Sequence, residues 1–284
     1  ELGSPARAVK ILISSHAFAP SIGGIETVSA LLAQEFVRSG HAVTVVTQTP
    51  DQSGEEFVCP VIRQPSLGKL VRVIRWSDVF WQSNLSLRTI WPALLLRKPV
   101  VITHHGSYCR RPIGLDLVLR LKRAVVERTT SVAISRFVAG CFQTDSVVIP
   151  DPYDTRKFID NSPTAERPGD LVFLGRLVSE KGIDLLLEAL ARLQARDIRP
   201  RLTIVGSGPE LLALEKMAVR LRLSEQVTFA GPKRDAELVR ILQRHKILVI
   251  PLRSAQHLAL LASEGVASGC DAVGSTPVGF RCGG

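Results

Sequence analysis

The sequence lacks most features that would place the chain among membrane-spanning, disulfide-rich or metal-binding proteins. No apolar run reaches the length that a bilayer-crossing helix needs. The five cysteines are odd in number and scattered, and no two of them form a CxxC pair. That usage predicts a reduced, cytoplasmic chain without structural zinc. The opening residues, ELGSPARAV, lack the apolar core of a secretory signal, so none is expected.

A complete dinucleotide fingerprint is also absent. The first strand–helix turn has no GxGxxG, and IVGSGPE at 204–210 lacks the third glycine because Leu211 stands there. No acidic residue ends the second predicted strand, where Thr47 and Gln48 stand, so an NAD-dependent oxidoreductase is disfavoured. The GxGP turn at 206–209 is therefore given mainly a structural role.

What is present is a regular alternation of apolar strand segments and amphipathic helices, which predicts an α/β protein with parallel sheets. A segment rich in proline, aspartate and polar residues, 150–169, predicts a linker between domain 1–160 and domain 161–284. The predicted strands are 9–15, 41–48, 55–63, 77–83, 99–103, 131–135, 146–150, 171–175, 201–206, 226–231 and 247–252, and the stretch 77–83 also includes the end of a preceding helix. The predicted helices are 25–40, 115–128, 183–194, 209–221, 235–243 and 258–268.

The most informative segment is LVFLGRLVSEKG at 171–182, where a short apolar strand leads to two cations and then to an amphipathic helix. Arg176 is a planar fork and Lys181 is a compact charge, and both fall next to the helix N-terminus, where anions are favoured. Gly175 and Gly182 allow backbone N–H groups to come close to a ligand. The pattern predicts a diphosphate site; the alternative is two solvated cations on a loop.

The run GRLVSEKGIDLLLEAL resembles the donor-phosphate segment of the retaining GT-B glycosyltransferases of family 4. The resemblance implies two Rossmann-like, doubly wound domains that face a cleft. It also implies that Arg176 and Lys181 hold the diphosphate of a nucleotide-sugar. After SGCDAVGSTPVG the chain ends in FRCGG, where the family continues with a further βα unit and a C-terminal helix. The second domain is therefore expected to be incomplete.

The resemblance implies further site residues in both halves. SIGGIETVSALLAQEFVRSG is similar to the family's N-terminal signature, which places Gly23 and Gly24 beside donor and acceptor; the alternative is a tight turn without a ligand. VITHHG matches the family pattern with His105 as the residue near the sugar, through a ring hydrogen bond or through its backbone carbonyl. Two loop histidines without a role are the alternative. Glu264 matches the glutamate that binds the ribose hydroxyls.

One expected catalytic position departs from the family. The family has a glutamate eight positions before the ribose-binding one, and here Gln256 stands in that place. Glutamine can still fix a sugar hydroxyl, but it cannot stabilise a developing positive charge. Two functions therefore stay open: a retaining glycosyltransferase, with His105 and Gln256 at the catalytic positions, or a nucleotide-sugar-binding protein of the same family with impaired or no catalysis.

The implied reaction needs no cofactor and no metal, because Arg176, Lys181 and the helix dipole take the charge of the leaving diphosphate. No DxD pair stands at a predicted strand end, which agrees with this expectation. The expected donor is a UDP- or GDP-sugar. Nothing in the pattern indicates a nucleic-acid partner, and the acceptor stays unassigned.

The positive charge is concentrated in one stretch of the first half. Between Arg63 and Arg136 there are 14 Lys and Arg residues against three acids, and all three tryptophans, Trp76, Trp81 and Trp91, lie there. Basic residues mixed with tryptophan indicate a membrane-surface patch or an anionic acceptor site. The alternative is a solvated basic face with tryptophan in the core. The first interpretation predicts a lipid-linked or membrane-surface acceptor and a cytoplasmic protein peripheral to the inner membrane face.

Overall fold

The computed structural model describes residues 8–21, 23–50, 54, 56–106, 117–142, 145–158, 167–253 and 259–274. The chain divides into two compact units, 1–152 and 153–284. The division falls between Pro152 and Tyr153, inside the linker segment 150–169. The predicted boundary at 160/161 lies outside the described residues.

The first unit is a parallel sheet covered by helices on both faces. Its described strands follow the order β3-β2-β1-β4-β5-β6-β7. The elements in chain order are β1 Lys10–Ser15, α1 Gly24–Arg38, β2 Ala42–Thr47, β3 Val61–Arg63, α2 Leu67–Trp76, β4 Val79–Ser83, α3 Leu87–Leu95, β5 Val100–His104, α4 Leu117–Val126, β6 Thr130–Ala133, α5 Arg136–Phe142 and β7 Ser146–Val148.

The second unit repeats this plan on a smaller scale. Its five described strands are parallel, in the order β10-β9-β8-β11-β12. The elements in chain order are β8 Gly169–Leu174, a short 3₁₀ turn Ser179–Lys181, α6 Ile183–Gln194, β9 Leu202–Val205, α7 Leu211–Arg220, β10 Val227–Gly231, α8 Asp235–Gln243, β11 His245–Ile250, α9 Ala259–Ala267 and β12 Asp271–Gly274.

Strand alternation divides the core of the first unit between the two sheet faces. Leu12, Phe80 and Ile102 pack in one cluster with buried residues of α2, α3 and α4. Ile11 and its strand neighbours pack in another cluster with Ala33 of α1. Helices α2, α3 and α4 therefore cover one sheet face, and α1 covers the other.

Each sheet has one point at which the strand order reverses. In the first unit the reversal lies between β1 and β4, and in the second it lies between β8 and β11. The loops that leave such strand pairs diverge to opposite faces, so a crevice opens beyond their carboxyl ends. The predicted site residues Gly23, Gly24, Arg176 and Lys181 all follow β1 or β8 along the chain.

Several segments differ from the sequence prediction. The third strand is confined to Val61–Arg63, because Pro60 has no N–H to donate into a strand ladder. Helices α3 and α5 and strand β12 were not predicted, since Pro92 interrupts the helical pattern in α3 and the other two elements are short. Helix α2 was anticipated only at its end, although its apolar residues recur at helical spacing.

Two glycines of the second unit have positive φ but differ in the space around them, which provides a matched test of the packing. A Cβ added at Gly206 (φ +144°) would lie 1.9 Å from the carbonyl oxygen of Gly175. A Cβ at Gly231 (φ +70°) would meet no atom within 4 Å. We expect Gly206→Ala to lower the free energy of unfolding by about 3 kcal/mol or more, and Gly231→Ala to lower it by only about 1–2 kcal/mol. Urea unfolding of both variants checks the difference, and equal losses would contradict this packing.

Candidate functional site

The predicted cation pair lies at the reversal point of the second sheet. Arg176 follows β8 and is exposed, whereas Lys181 ends the 3₁₀ turn and is half-buried. Burial lowers the pKa of Lys181, the Glu180 carboxylate opposes that shift, and the Arg176 guanidinium adds to it. The two cations are thus close enough to repel each other.

The pairing of charges around these two cations is uneven. Among the described residues, no carboxylate forms an ion pair or a hydrogen bond with Arg176 or Lys181. The nearby Arg253 is different, because its guanidinium is paired with Asp184 in the first turn of α6. A partly desolvated lysine beside an arginine, both unpaired within the described ranges, forms a site suited to a bound anion.

Backbone packing holds these two cations in place. Gly182 adopts a left-handed conformation (φ +67°), and a Cβ there would lie 1.9 Å from the carbonyl oxygen of Pro251, which follows β11. Only glycine allows this approach, so Gly182 joins the two loops at the reversal point. Gly182 also precedes the first turn of α6, and its side-chain-free position leaves that helix N-terminus without a side-chain cap.

The GxGP turn after β9 is structural, as predicted. A Cβ at Gly208 would lie 2.3 Å from the carbonyl oxygen of Leu177. Leu177 in turn donates its N–H to Ser207 O (2.9 Å), and Glu210 donates its N–H to Leu177 O (3.2 Å). The turn therefore supports the loop that carries Arg176.

Glu264 is a buried carboxylate on α9. It is 6% exposed, and no described residue donates a hydrogen bond to its carboxylate oxygens. Burial raises its pKa to about 7, and the positive charge of Lys157 only partly offsets the shift. Helix α9 is held closely on β11, since a Cβ at Gly265 would lie 2.3 Å from Leu248 Cδ2. Glu264 thus has acceptor capacity that the described part of the protein does not use. Gln256 lies outside the described residues.

The glycine pair of the first unit lies at the N-terminus of α1. Gly23 is extended (φ 175°), and Gly24 is the first residue of the helix. The Glu26 side chain folds back toward Gly23, where a Cβ would lie 2.3 Å from Glu26 Oε2. A carboxylate therefore already faces the positive end of the helix dipole. The ligand role of Gly23 and Gly24 stays a prediction.

The two histidines after β5 have different environments. His104 is fully buried, with Nε2 3.4 Å from Ser131 Oγ, and burial, with the neighbouring His105, lowers its pKa to about 4. His105 is 6% exposed, and its ring lies between Ser83 and Asp151. Sequence reasoning did not single out these two partners, although Ser83 ends a strand and Asp151 lies between two prolines.

A small cavity lies at the reversal point of the first sheet, near this histidine. Polar side chains from the ends of β1, β2 and β4, and from the first turn of α3, form much of its lining. They are Ser14, His16, Thr47, Gln82, Ser83, Asn84 and Thr89. The carboxyl end of the first sheet is therefore lined by polar side chains.

Helices α2, α3 and α4 present a basic and partly apolar outer surface, which we call the basic face. Their sequences contain no acid. The cations on these helices are Lys69, Arg72, Arg75, Arg88, Arg120, Lys122 and Arg123. The exposed large apolar residues are Leu67, Trp91, Leu95, Val118 and Leu121. Of the tryptophans, Trp81 is buried in the core, Trp76 is half-buried and Trp91 is exposed, so neither sequence interpretation holds for all three. In the part of the chain that the structure describes, every helix is too short or too polar to form a membrane span.

Two family models match the chain. The one described as Glycosyltransferase Family 4 matches residues 22–157, and the one described as Glycosyl transferases group 1 matches residues 154–282. Together they cover both units. The boundary between the two matches falls close to the structural division at 152/153.

Two curated relatives have low sequence identity to this chain. A phosphatidylinositol N-acetylglucosaminyltransferase component of Arabidopsis thaliana is 24% identical over 95% of this chain and 68% of that protein. A GDP-mannose-dependent alpha-(1-6)-phosphatidylinositol monomannoside mannosyltransferase of Mycolicibacterium smegmatis is 27% identical over 77% of this chain and 66% of that protein. The chain thus spans about two thirds of the length of these relatives.

A solved structure supports the fold. The Anabaena protein Alr3699/HepE, in complex with UDP and glucose, superposes with a TM-score of 0.73 at 18% identity, over 94% of this chain and 80% of that protein. This similarity confirms the predicted GT-B class, with two Rossmann-like α/β domains.

The buried Glu264 predicts a specific pH dependence of stability. Between about pH 4.5 and pH 7 the folded chain retains a proton that the unfolded chain has released, so the free energy of unfolding falls as pH rises through this window. Glu264→Gln removes this loss. We expect the free energy of unfolding of the variant to match that of the parent near pH 4.5 and to exceed it above pH 7, by up to about 3 kcal/mol. Urea unfolding across this pH range provides the measurement. The exposed Glu188→Gln is the control, and parallel pH profiles for Glu264→Gln and the parent would contradict the assignment.

Proposed function

The chain belongs to the family 4 glycosyltransferases, with a C-terminal unit of the glycosyl transferases group 1 type, and from that premise we propose a specific reaction. The protein transfers a sugar from a nucleotide-diphosphate-sugar to an acceptor hydroxyl, with retention of configuration and without a metal ion. The observation that carries this proposal is the pair Arg176 and Lys181, two adjacent cations of which neither forms an ion pair with a carboxylate in the described structure.

The cation pair fits the charge that develops during such a transfer. When the bond between the sugar and the diphosphate breaks, negative charge accumulates on the leaving phosphate oxygens. Arg176 offers a planar set of donors and Lys181 offers a point charge, and both lie just before the N-terminus of α6. These three groups supply fixed positive potential where other enzymes use Mg²⁺. The proposal therefore includes no metal.

Glu264 supplies the second contact with the donor. A carboxylate accepts two hydrogen bonds, which suits the neighbouring hydroxyls of a ribose. The carboxylate of Glu264 is buried and accepts no hydrogen bond from a described residue, so a diol would satisfy it. Burial favours the protonated form of Glu264, whereas hydrogen bonds donated by a diol favour the ionised form, so donor binding is expected to lower the pKa again.

The remaining site residues are proposed at the sugar. Gly23 and Gly24 lie at the N-terminus of α1, at the reversal point of the first sheet and beside the Glu26 carboxylate, and His105 follows β5 on the same carboxyl edge. We place both beside the transferred sugar. Gln256 is proposed to bind a sugar hydroxyl, since its amide both donates and accepts.

The donor is proposed to be a UDP- or GDP-sugar. One similar structure holds UDP and glucose, and one relative is named as dependent on GDP-mannose. The panel to test is therefore UDP-glucose, UDP-N-acetylglucosamine and GDP-mannose.

The acceptor is proposed to be lipid-linked. Two relatives are named for phosphatidylinositol-based acceptors. The basic face of the first unit gives this proposal a physical basis, because its cations complement anionic headgroups and its exposed Trp91 and Leu95 can enter the interface. The protein is then cytoplasmic and peripheral to the membrane.

A second candidate is a nucleotide-sugar-binding protein without turnover. The glutamine at 256, in place of the family's glutamate, favours it. Arg176, Lys181 and Glu264 would serve binding in either case. Slow release of UDP or GDP from a donor of the panel supports the enzyme, and binding without release supports the second candidate.

Removing either cation tests the donor site. We expect Arg176→Ala and Lys181→Ala each to weaken UDP or GDP binding by about 1.5–3 kcal/mol, as for other charge-assisted contacts. Isothermal titration calorimetry measures the change. Arg192→Ala, at the opposite end of α6, is the matched control and leaves affinity unchanged. Unchanged affinity in both site variants would overturn the diphosphate assignment.

Reversing charge on α2 tests the basic face. The triple variant Lys69→Glu, Arg72→Glu, Arg75→Glu is expected to lower partitioning onto phosphatidylserine-containing vesicles by about 100-fold, since each cation near an anionic surface contributes about 1 kcal/mol. Flotation at low and physiological salt measures binding. The control reverses Arg192, Lys216 and Arg220 in the second unit, which changes net charge by the same amount. Equal losses in the two triple variants would show that net charge, and not this face, drives binding.

A further inference from the structure

The imidazole of His105 is fully engaged by the protein. Its Nδ1 lies 3.0 Å from Asp151 Oδ1, and its Nε2 lies 3.1 Å from Ser83 Oγ. The ring is buried, with 5% of the side chain exposed. A ring nitrogen that already has a buried partner can contact a sugar hydroxyl only if that bond is broken, which leaves a buried polar group unsatisfied.

The main chain of His105 is held by Asn84, the residue that follows Ser83 at the end of β4. Asn84 Oδ1 accepts a hydrogen bond from the N–H of His105 (2.9 Å), and the N–H of Asn84 donates to Thr103 O (2.8 Å). Asn84 adopts a positive φ (60°), which asparagine tolerates better than most residues. Two consecutive residues at the end of β4 therefore fix the ring and the backbone of His105 together.

Asp151 reaches His105 from a distant part of the chain. It lies in the sequence Pro-Asp-Pro, directly before the division between the two units, and its side chain is 9% exposed. A buried carboxylate can only accept from a ring N–H, so its contact requires the proton on Nδ1. In the neutral ring Nε2 then accepts the hydroxyl proton of Ser83. The four residues form one hydrogen-bonded assembly, which we call the His105 clamp: Ser83, Asn84, His105 and Asp151.

We propose that Ser83, Asn84 and Asp151 are positioning residues, which lock His105 so that it presents its main chain, and not its imidazole, to the transferred sugar. The inference rests on the proposed function, because that function places His105 beside the sugar. The sequence allowed His105 to contact the sugar through its ring or through its backbone carbonyl. The clamp favours the backbone carbonyl, because both ring nitrogens are already bonded. We assign Ser83 no nucleophilic role, because only 4% of the residue is exposed.

One pair of variants at Asp151 can test whether the clamp depends on the acceptor oxygen or on the negative charge of this residue. Asp151→Ala removes the acceptor and frees the ring, whereas Asp151→Asn keeps an oxygen that accepts from Nδ1–H and removes only the charge. We expect Asp151→Ala to lower the rate of UDP or GDP release from the donor panel by about 10- to 100-fold, as for other small displacements of a site. Asp151→Asn recovers most of that loss. Asp145→Asn, at an exposed aspartate of the same unit, is the control.

Two results in this series would overturn the clamp. Equal losses in Asp151→Asn and Asp151→Ala would assign the carboxylate a charge or proton-transfer role. Full turnover in Asp151→Ala would remove any role. UDP and GDP affinities, measured by calorimetry on the same variants, are expected to stay within about twofold, since the proposed diphosphate contacts lie in the other unit.

A spectroscopic measurement tests the clamp even where a variant does not fold or where the parent shows no turnover. ¹⁵N NMR of the ring, at a pH well above the ordinary imidazole pKa, is expected to show His105 protonated on Nδ1, with slow exchange of that proton. The resonances are assigned by comparison with His105→Gln. A ring protonated on Nε2, or a rapidly exchanging Nδ1 proton, would contradict the clamp. Failure of the proposed function gives a different pattern: no binding of UDP or GDP by the parent, with the ring tautomer unaffected.

Discussion

A partly buried lysine held beside an arginine is the feature on which the proposed donor site depends. Arg176 and Lys181 would separate in a flexible loop, but the loop after β8 is fixed by backbone packing against the loops after β9 and β11. The fold thus keeps a partly desolvated lysine next to an arginine, and burial is the main cause that lowers the pKa of Lys181, so a bound anion stabilises both charges. The pairing of Arg253 with Asp184 matters for the same reason, since it neutralises a competing cation nearby. The positive potential is therefore concentrated at the reversal point of the sheet.

Glu264 is a second charged group without a partner among the described residues, and its charge is negative. Its carboxylate is buried without a described donor, so the folded chain alone meets a desolvation cost that a ribose diol would offset. The second unit holds a cationic group and an anionic group apart, each lacking a complement among the described residues. A nucleoside diphosphate carries both complements, a diphosphate and a diol. For the proposed donor, this double match gives more specificity than either contact alone, because a ligand with only one complement leaves the other group unsatisfied.

Sequence reasoning reached the fold and the donor-site candidates because both depend on local patterns. Apolar strands with glycine and a cation pair at their ends identify Arg176 and Lys181 without any tertiary information. Elements with weaker patterns were missed, as in α3, where Pro92 interrupts the helix, and in the short β12. The partners of His105 were missed for a different reason. Ser83 and Asp151 are 22 and 46 residues away in the chain, and only the sheet order brings them to the same ring.

The two units thus show different relations between sequence and site. In the second unit the cation pair is local, and the lack of an acidic partner within the described ranges is what qualifies it for a ligand. In the first unit both ring nitrogens of His105 already have a partner, so the ring has no free nitrogen with which to bind a ligand. A bound anion needs charge that the protein leaves unpaired, whereas a reacting carbon needs a fixed position, which additional internal hydrogen bonds improve. The absence of an ion-pair partner among the described residues therefore argues for ligand binding by Lys181, and the internal hydrogen bonds of His105 argue for a positioning role.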